Sequence, residues 1–241
     1  MVPRRDERAA PDRVAGVDGC RRGWVVAVAT VEPFALEAVT VAATIGPVVA
    51  DPTLSIVAID MPVGLLDDGP RHCDRECRAL LGPRRSSVFP TPARSVLEAT
   101  DFDDALRRQR RATGTGLSLQ SWHLVPKIAE LDAALGRLGR RRGDRVVETH
   151  PELAFTTLAG APMRHAKRTP AGRRERLLAL HRHVERRWTR PAAIPTGAAG
   201  DDVLDAIALA VRAAQWAAGS PFVELGGERR DTAGRLVRIR G

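Results

Sequence analysis

The sequence predicts a single α/β domain: a mixed five-stranded sheet, three strands antiparallel and two parallel, flanked by helices, with a helical insertion between strands four and five. Two observations carry this. Three β-rich runs near the N-terminus are joined by turns so short that they imply antiparallel pairing. Two later apolar runs are separated by helical patterns, which implies parallel crossovers. At 241 residues the length suits one large α/β domain. The expected domain spans 14–220, with the insertion over about 70–140. A disordered arm, 1–13, precedes it and a tail, 221–241, follows.

VAGVD and WVVAVATV flank the turn-prone segment Gly19–Gly23 and read as a strand, turn, strand unit. Leu36–Val41 fits a third strand and Ala42–Ala50 a short helix. SIVAID (Ser55–Asp60) is a short apolar run ending on a carboxylate, followed by Pro62 and Gly64. That is the pattern of a strand buried on both faces. Arg71–Leu81 is helical and stops at Gly82-Pro83. RRSSVFPTPARS is a loop by its prolines and serines. Phe102–Thr113 is a charged amphipathic helix. Ser118 caps the next, which reaches about Leu138 with a kink at Pro126. Arg140–Gly143 is a basic turn. DRVVETH (Asp144–His150) gives the fifth strand, Pro151 opens a helix at its favoured first position, and Arg173–Trp188 forms another. Asp201–Ala218 is Ala-rich, acidic in its first turn and stopped by Gly219, as the helix dipole favours. Strand-like pieces around Gly226-Gly227 end the chain.

Hydrophobic residues make up 44% and charged residues 28%, as in ordinary globular proteins. No apolar run is long enough for a membrane span, and MVPRRDERAAPDR lacks the apolar stretch of a secretory signal. No membrane and a cytoplasmic location are therefore expected. Cys20, Cys73 and Cys77, odd in number, argue against a disulfide framework. His72, Cys73 and Cys77 raise zinc as an alternative, but a second ligand pair is missing; small residues packed on a helix is the plainer reading. The net charge of +9 suits a nucleic-acid partner. Two features temper this: the only lysines are Lys127 and Lys167 in an Arg-rich chain, and aromatics are 4% with no Tyr, a poor supply for base stacking.

The candidate site lies in the acids. Asp18 ends the first strand, Asp60 the fourth, and Asp202 and Asp205 share one face of the last helix. Clustered carboxylates repel and raise one another's pKa. A divalent cation removes that penalty, and hard oxygen donors are what Mg²⁺ or Mn²⁺ prefers. Two such ions can support phosphodiester cleavage. Taken singly, each acid has a plainer explanation: turn chemistry at a strand end, or capping and dipole pairing in a helix's first turn.

GVDGCRRGWVVA, AIDMPVGL, CDRECRALLGPRRSSVFPTPAR, GLSLQSWHLVPKIAELD, VVETHPELAF and DDVLDAIALA resemble the signature blocks of a domain-of-unknown-function family described as predicted RNase H-like nucleases. The resemblance covers roughly Val14 to Ala218. It implies an RNase H-like fold and, by analogy with RuvC-type resolvases, Asp18, Asp60, Asp202 and Asp205 as metal ligands. RuvC-type enzymes usually carry Glu where Asp60 stands, and a shorter acid alters the reach to a metal.

Other residues stand outside that minimal pattern. Glu148 ends the strand VVE and is a candidate catalytic group and further ligand. His150 is either a proton shuttle or a helix-entry residue. Lys127 is a candidate phosphate contact, a point charge kept as lysine, or a surface partner of Glu130. Arg84, Arg85, Ser86 and Ser87 form a basic, hydroxyl-bearing loop suited to phosphate, or simply a solvated one. The leading expectation is a metal-dependent nuclease. The alternatives are a non-catalytic nucleic-acid or nucleotide-binding module of the same fold, and an ATP-binding protein related to actin and the sugar kinases. The last normally needs a duplicated domain and Gly-rich phosphate loops, which are not found here. The apolar C-terminal helix offers a surface for a homodimer.

Overall fold

A computed structural model describes residues 12–139 and 143–241. The expected N-terminal arm lies outside these residues except for Asp12 and Arg13, and the basic turn except for Gly143. Five strands, β1 (Arg13–Cys20), β2 (Gly23–Thr30), β3 (Ala35–Ala42), β4 (Leu54–Ile59) and β5 (Val146–Glu148), form one sheet in the order β3-β2-β1-β4-β5. β1 and β2 pair antiparallel, as do β2 and β3, while β4 runs parallel to both β1 and β5. The α/β class and the mixed five-stranded sheet thus stand as expected.

The helices are α1 (Gly46–Ala50), α2 (His72–Leu81), α3 (Phe102–Thr113), α4 (Leu119–Leu138), α5 (Pro151–Ala159), α6 (Pro170–Leu180) and α7 (Gly200–Ala217). Local chemistry sets their starts. The side chains of Asp101, Ser118, His150 and Thr169 each accept a backbone N–H of the first turn of α3, α4, α5 and α6. Two expected helices shift. β3 runs on through Ala42, so the following helix is only the short α1. The helix expected over Arg173–Trp188 starts earlier, because Thr169 caps it and Pro170 leads it. It ends at Leu180, and Arg186–Thr189 is a separate 3-10 turn.

Strand alternation sorts the core into two layers. Val14, Ala58 and Val147 pack with Phe155 of α5 and Ala206, Leu209 and Ala210 of α7. Ala15, Val17, Val57, Ile59 and Val146 point the other way, onto Ile128, Leu131 and Leu135 of α4. The segment expected as a helical insertion therefore divides. Its last part, α4, is the second layer of the domain, while α2 and α3 stand beside it.

Gly16 sets the distance between β1 and α7. A Cβ there would lie 2.1 Å from the Ala206 carbonyl oxygen and 2.2 Å from Ala210 N. Only glycine lets the helix backbone settle onto the strand. Nearly every residue from Val203 to Trp216 is buried within the chain. α7 thus uses its apolar surface internally and does not present the homodimer surface expected of it.

The C-terminal pieces form a hairpin, β6 (Glu224–Arg230) and β7 (Leu236–Arg240). Leu225, Val237 and Ile239 pack with Cys73, Cys77 and Leu81 of α2, so the segment expected as a tail is part of the folded body. Among the described residues, no helix is long and apolar enough to cross a membrane.

Candidate active site

The same alternation that buries Val14 and Gly16 against α7 aims Asp18 to that side. Asp60 follows β4, and its N–H donates to the Val17 carbonyl at 3.0 Å, extending the β1–β4 pairing by one residue. Its side chain then falls on the Ala58 side. The close approach at Gly16 brings the start of α7 to the ends of these strands, and with it Asp205, adjacent to Ala206. Asp18, Asp60 and Asp205 line one cavity of about 440 Å³. Asp18 is 7% exposed and Asp205 1%.

Burial governs their electrostatics. Desolvation, then repulsion from Asp60 and Asp205, pushes Asp18 well above the usual carboxylate range. Desolvation also raises Asp60. It carries Asp205 up to about 6, against the opposing pull of Lys167.

Lys167 is the group that sequence reasoning did not place here. Its Nζ donates to Asp205 Oδ2 at 2.7 Å and lies 3.9 Å from Asp201. Burial disfavours its charge, but Asp205, then Asp18 and Asp60, outweigh burial and hold its pKa above the ordinary lysine value. The loop that carries it is well anchored. Glu175 accepts the backbone N–H groups of Arg164 and His165. Arg176 donates to the carbonyls of His165 and Gly172 and to Glu152. Gly172 is needed for this approach, since a Cβ there would meet the Ala166 carbonyl at 2.0 Å. The signal available in the sequence is the rarity of lysine, which marks Lys127 and Lys167 alike.

The other predicted residues separate. Asp202 accepts the Ala199 N–H at 3.0 Å, a capping role, and is half-buried one turn from Asp205. Glu148 faces the α4 side. Its Oε2 accepts from Arg71 at 2.6 Å and from Val63 N–H at 2.7 Å, and burial raises its pKa to about 7. It lines the cavity while holding Arg71 in place. Arg84 also lines the cavity, 3.5 Å from Glu152, whereas Arg85 and Ser86 are exposed and outside it. Lys127 donates to the Gly23 carbonyl at 2.6 Å and sits over the Trp24 ring, 4.7 Å from its centroid. It supports the β1–β2 turn and does not line the cavity. His150 caps α5: its Nδ1 accepts the Glu152 N–H and its Nε2 pairs with the Ser87 carbonyl. Both ring nitrogens are thus engaged, as helix entry requires.

Cys73 and Cys77 are free thiols buried against the hairpin, and burial raises Cys73 to about 12. Both sit among Leu66, Leu81, Leu225 and Ile239, small side chains packed in an apolar cluster. Among the described residues, no three or more His, Cys, Asp or Glu side chains are grouped as a preformed metal site. In the carboxylate cluster the compensating charge is the Lys167 ammonium.

A family model described as a protein of unknown function, DUF429, matches residues 16–227. The chain belongs to the DUF429 family. The DUF429 match contains every acid of the cluster, Lys167 and its anchoring residues. Comparisons with curated proteins and with solved structures find no match for this DUF429 protein.

Proposed function

We propose that this DUF429 protein is a metal-dependent phosphodiester hydrolase of nucleic acid, built on an RNase H-like fold. One observation carries the reading: three carboxylates, from the ends of two adjacent parallel strands and the start of the packed helix, line one cavity, Asp18 and Asp205 buried and Asp60 half-buried. Supporting it are the sheet order β3-β2-β1-β4-β5 and the sequence blocks around Asp18 and Asp205. Asp18, Asp60 and Asp205 would hold Mg²⁺ or Mn²⁺, while Asp202, which lies outside their cavity, caps α7. The donor chemistry fits: oxygen ligands only, and acids whose charged forms are disfavoured until a cation joins them. Bound there, the cation supplies Lewis-acid charge at the phosphoryl oxygens. Arg84 and Arg168 face the same cavity and orient the phosphate. Lys167 offsets part of the cluster's charge until the cation binds, and the surrounding apolar walls limit water.

A second reading, a nucleic-acid-binding module without catalysis, is favoured by the Lys167–Asp205 contact, which already offsets part of the negative charge. A cleavage assay separates the two. Single- and double-stranded DNA, RNA, hybrid and four-way junction are incubated with Mg²⁺ or Mn²⁺, with Asp18→Asn and Asp205→Asn alongside. Metal-dependent cleavage lost in both variants is expected. Binding without cleavage on every substrate would favour the module.

A further inference from the structure

The cavity above the three acids has a size and a lining that bear on what enters it. Its volume of about 440 Å³ falls in the small-molecule range. Phe89, Pro90, Pro92 and Leu124 form an apolar wall, while Arg84, Lys167 and Arg168 supply cations. Three lining residues carry a buried side-chain polar atom without a hydrogen-bond partner among the described residues: Arg84 at Nε, Thr149 at Oγ1 and Glu152 at Oε2. Thr149 Oγ1 and Glu152 Oε2 are buried, in residues only 2% and 4% exposed, with no hydrogen-bond partner among the described residues. Such groups cost free energy when left unpaired. The other oxygen of Glu152 is held by Arg176 at 2.5 Å, which fixes the orientation of the carboxylate. Oε2 can only accept, whereas a threonine hydroxyl can donate or accept.

We propose that this cavity takes one nucleotide unit, its phosphate toward Asp18, Asp60 and Asp205 and its base against the Phe89 wall, with Thr149 and Glu152 as specificity-determining residues. Thr149 Oγ1 and Glu152 Oε2 would pair with a sugar hydroxyl or a base N–H. The substrate is then the exposed unit of a single strand or a free mononucleotide, not an intact duplex. A flat π-face against an apolar ring is sequence-tolerant, so the two polar groups carry the discrimination. The phosphate end of this assignment rests on the hydrolase reading above; the cavity and its unpaired groups do not.

The test measures binding and turnover separately. Nucleoside monophosphates are titrated into wild type, Thr149→Val and Phe89→Ala in the presence of Mg²⁺, with melting curves for each. Hydrolysis of bis(p-nitrophenyl) phosphate, a single-stranded oligonucleotide and its blunt duplex is followed in parallel. We expect mononucleotide binding, weakened about tenfold in Thr149→Val with no loss of thermal stability, because the hydroxyl has no partner to lose. Phe89→Ala, on a half-exposed wall, should weaken binding while remaining folded. The single strand should be cut and the duplex spared. Competition by mononucleotides without strand cleavage would identify the free nucleotide as the ligand. Metal-dependent turnover with the duplex cut as fast as the strand, and no mononucleotide binding, overturns the inference and leaves the hydrolase standing. Mononucleotide binding that depends on Thr149, with no phosphodiester turned over, does the reverse. Binding unchanged in Thr149→Val removes the role given to that residue, and an absence of both binding and turnover overturns both readings.

Discussion

The Nζ of Lys167 lies 2.7 Å from Asp205 Oδ2, and its charge also acts on Asp18 and Asp60. One lysine from the α5–α6 loop therefore offsets part of the charge of acids brought together by β1, β4 and α7. Replacing it by Met should have two opposite effects. The cation-free protein should lose about 1–2 kcal/mol, allowing for the partly exposed lysine. Its affinity for Mn²⁺ should rise about tenfold, because an internal competitor is gone. Urea denaturation in EDTA and calorimetric titration with Mn²⁺ check both. Weaker Mn²⁺ binding in Lys167→Met would show that the lysine assists the cation instead of competing with it.

The acids make stability depend on pH in a stated direction. Asp205 titrates at about 6 in the fold, against about 3.9 in an unfolded chain. Between those values the folded state holds more protons, so its contribution to stability falls as pH rises and stays low above about 6. Asp18 is shifted in the same direction. Asp18→Asn should therefore be more stable than wild type by about 1 kcal/mol at neutral pH in EDTA. The gain should shrink toward zero near pH 4. A constant difference across that range would mean that Asp18 is not held under repulsion.

Glu148 should behave as a structural acid. Glu148→Gln weakens the charge pairing of the buried Arg71, a loss of about 3 kcal/mol or somewhat less where the amide still accepts a hydrogen bond. Chemical denaturation measures this. Mn²⁺ affinity per folded molecule should stay within about twofold of wild type. A large fall in affinity would return Glu148 to the cation-binding set.

Gly16→Ala tests the packing that delivers Asp205. The added methyl meets helix backbone, which cannot rotate away as a side chain can. A loss of about 3 kcal/mol or more is expected in denaturant titration. A loss below about 1 kcal/mol would mean that α7 shifts easily and that Asp205 is less firmly placed than described.

Much of this was legible in the sequence. The five strands, their pairing senses and the acids at two strand ends and a helix start followed from period, turn length and caps, all of which are local. Lys167 was not legible as a site residue. Its position depends on Arg176, Glu175 and Gly172 holding a loop against α6, and no local pattern encodes those contacts. Glu148 ends β5 and Lys127 lies midway along α4, and in the sequence both read as isolated charges. Their partners Arg71 and Gly23 lie 77 and 104 residues away in the chain, so only the folded structure pairs them. The C-terminal hairpin was similarly obscured, because Gly226 and Gly227 interrupt a strand whose partner face is α2.

The central claim, that Asp18, Asp60 and Asp205 hold a divalent cation, is tested most directly by Mn²⁺ binding followed through the electron paramagnetic resonance of the free ion. The account predicts saturable binding of one or two ions by the wild type, abolished or weakened at least about tenfold in Asp18→Asn and Asp205→Asn. Equal binding by all three proteins, or none by the wild type at millimolar Mn²⁺, would contradict it.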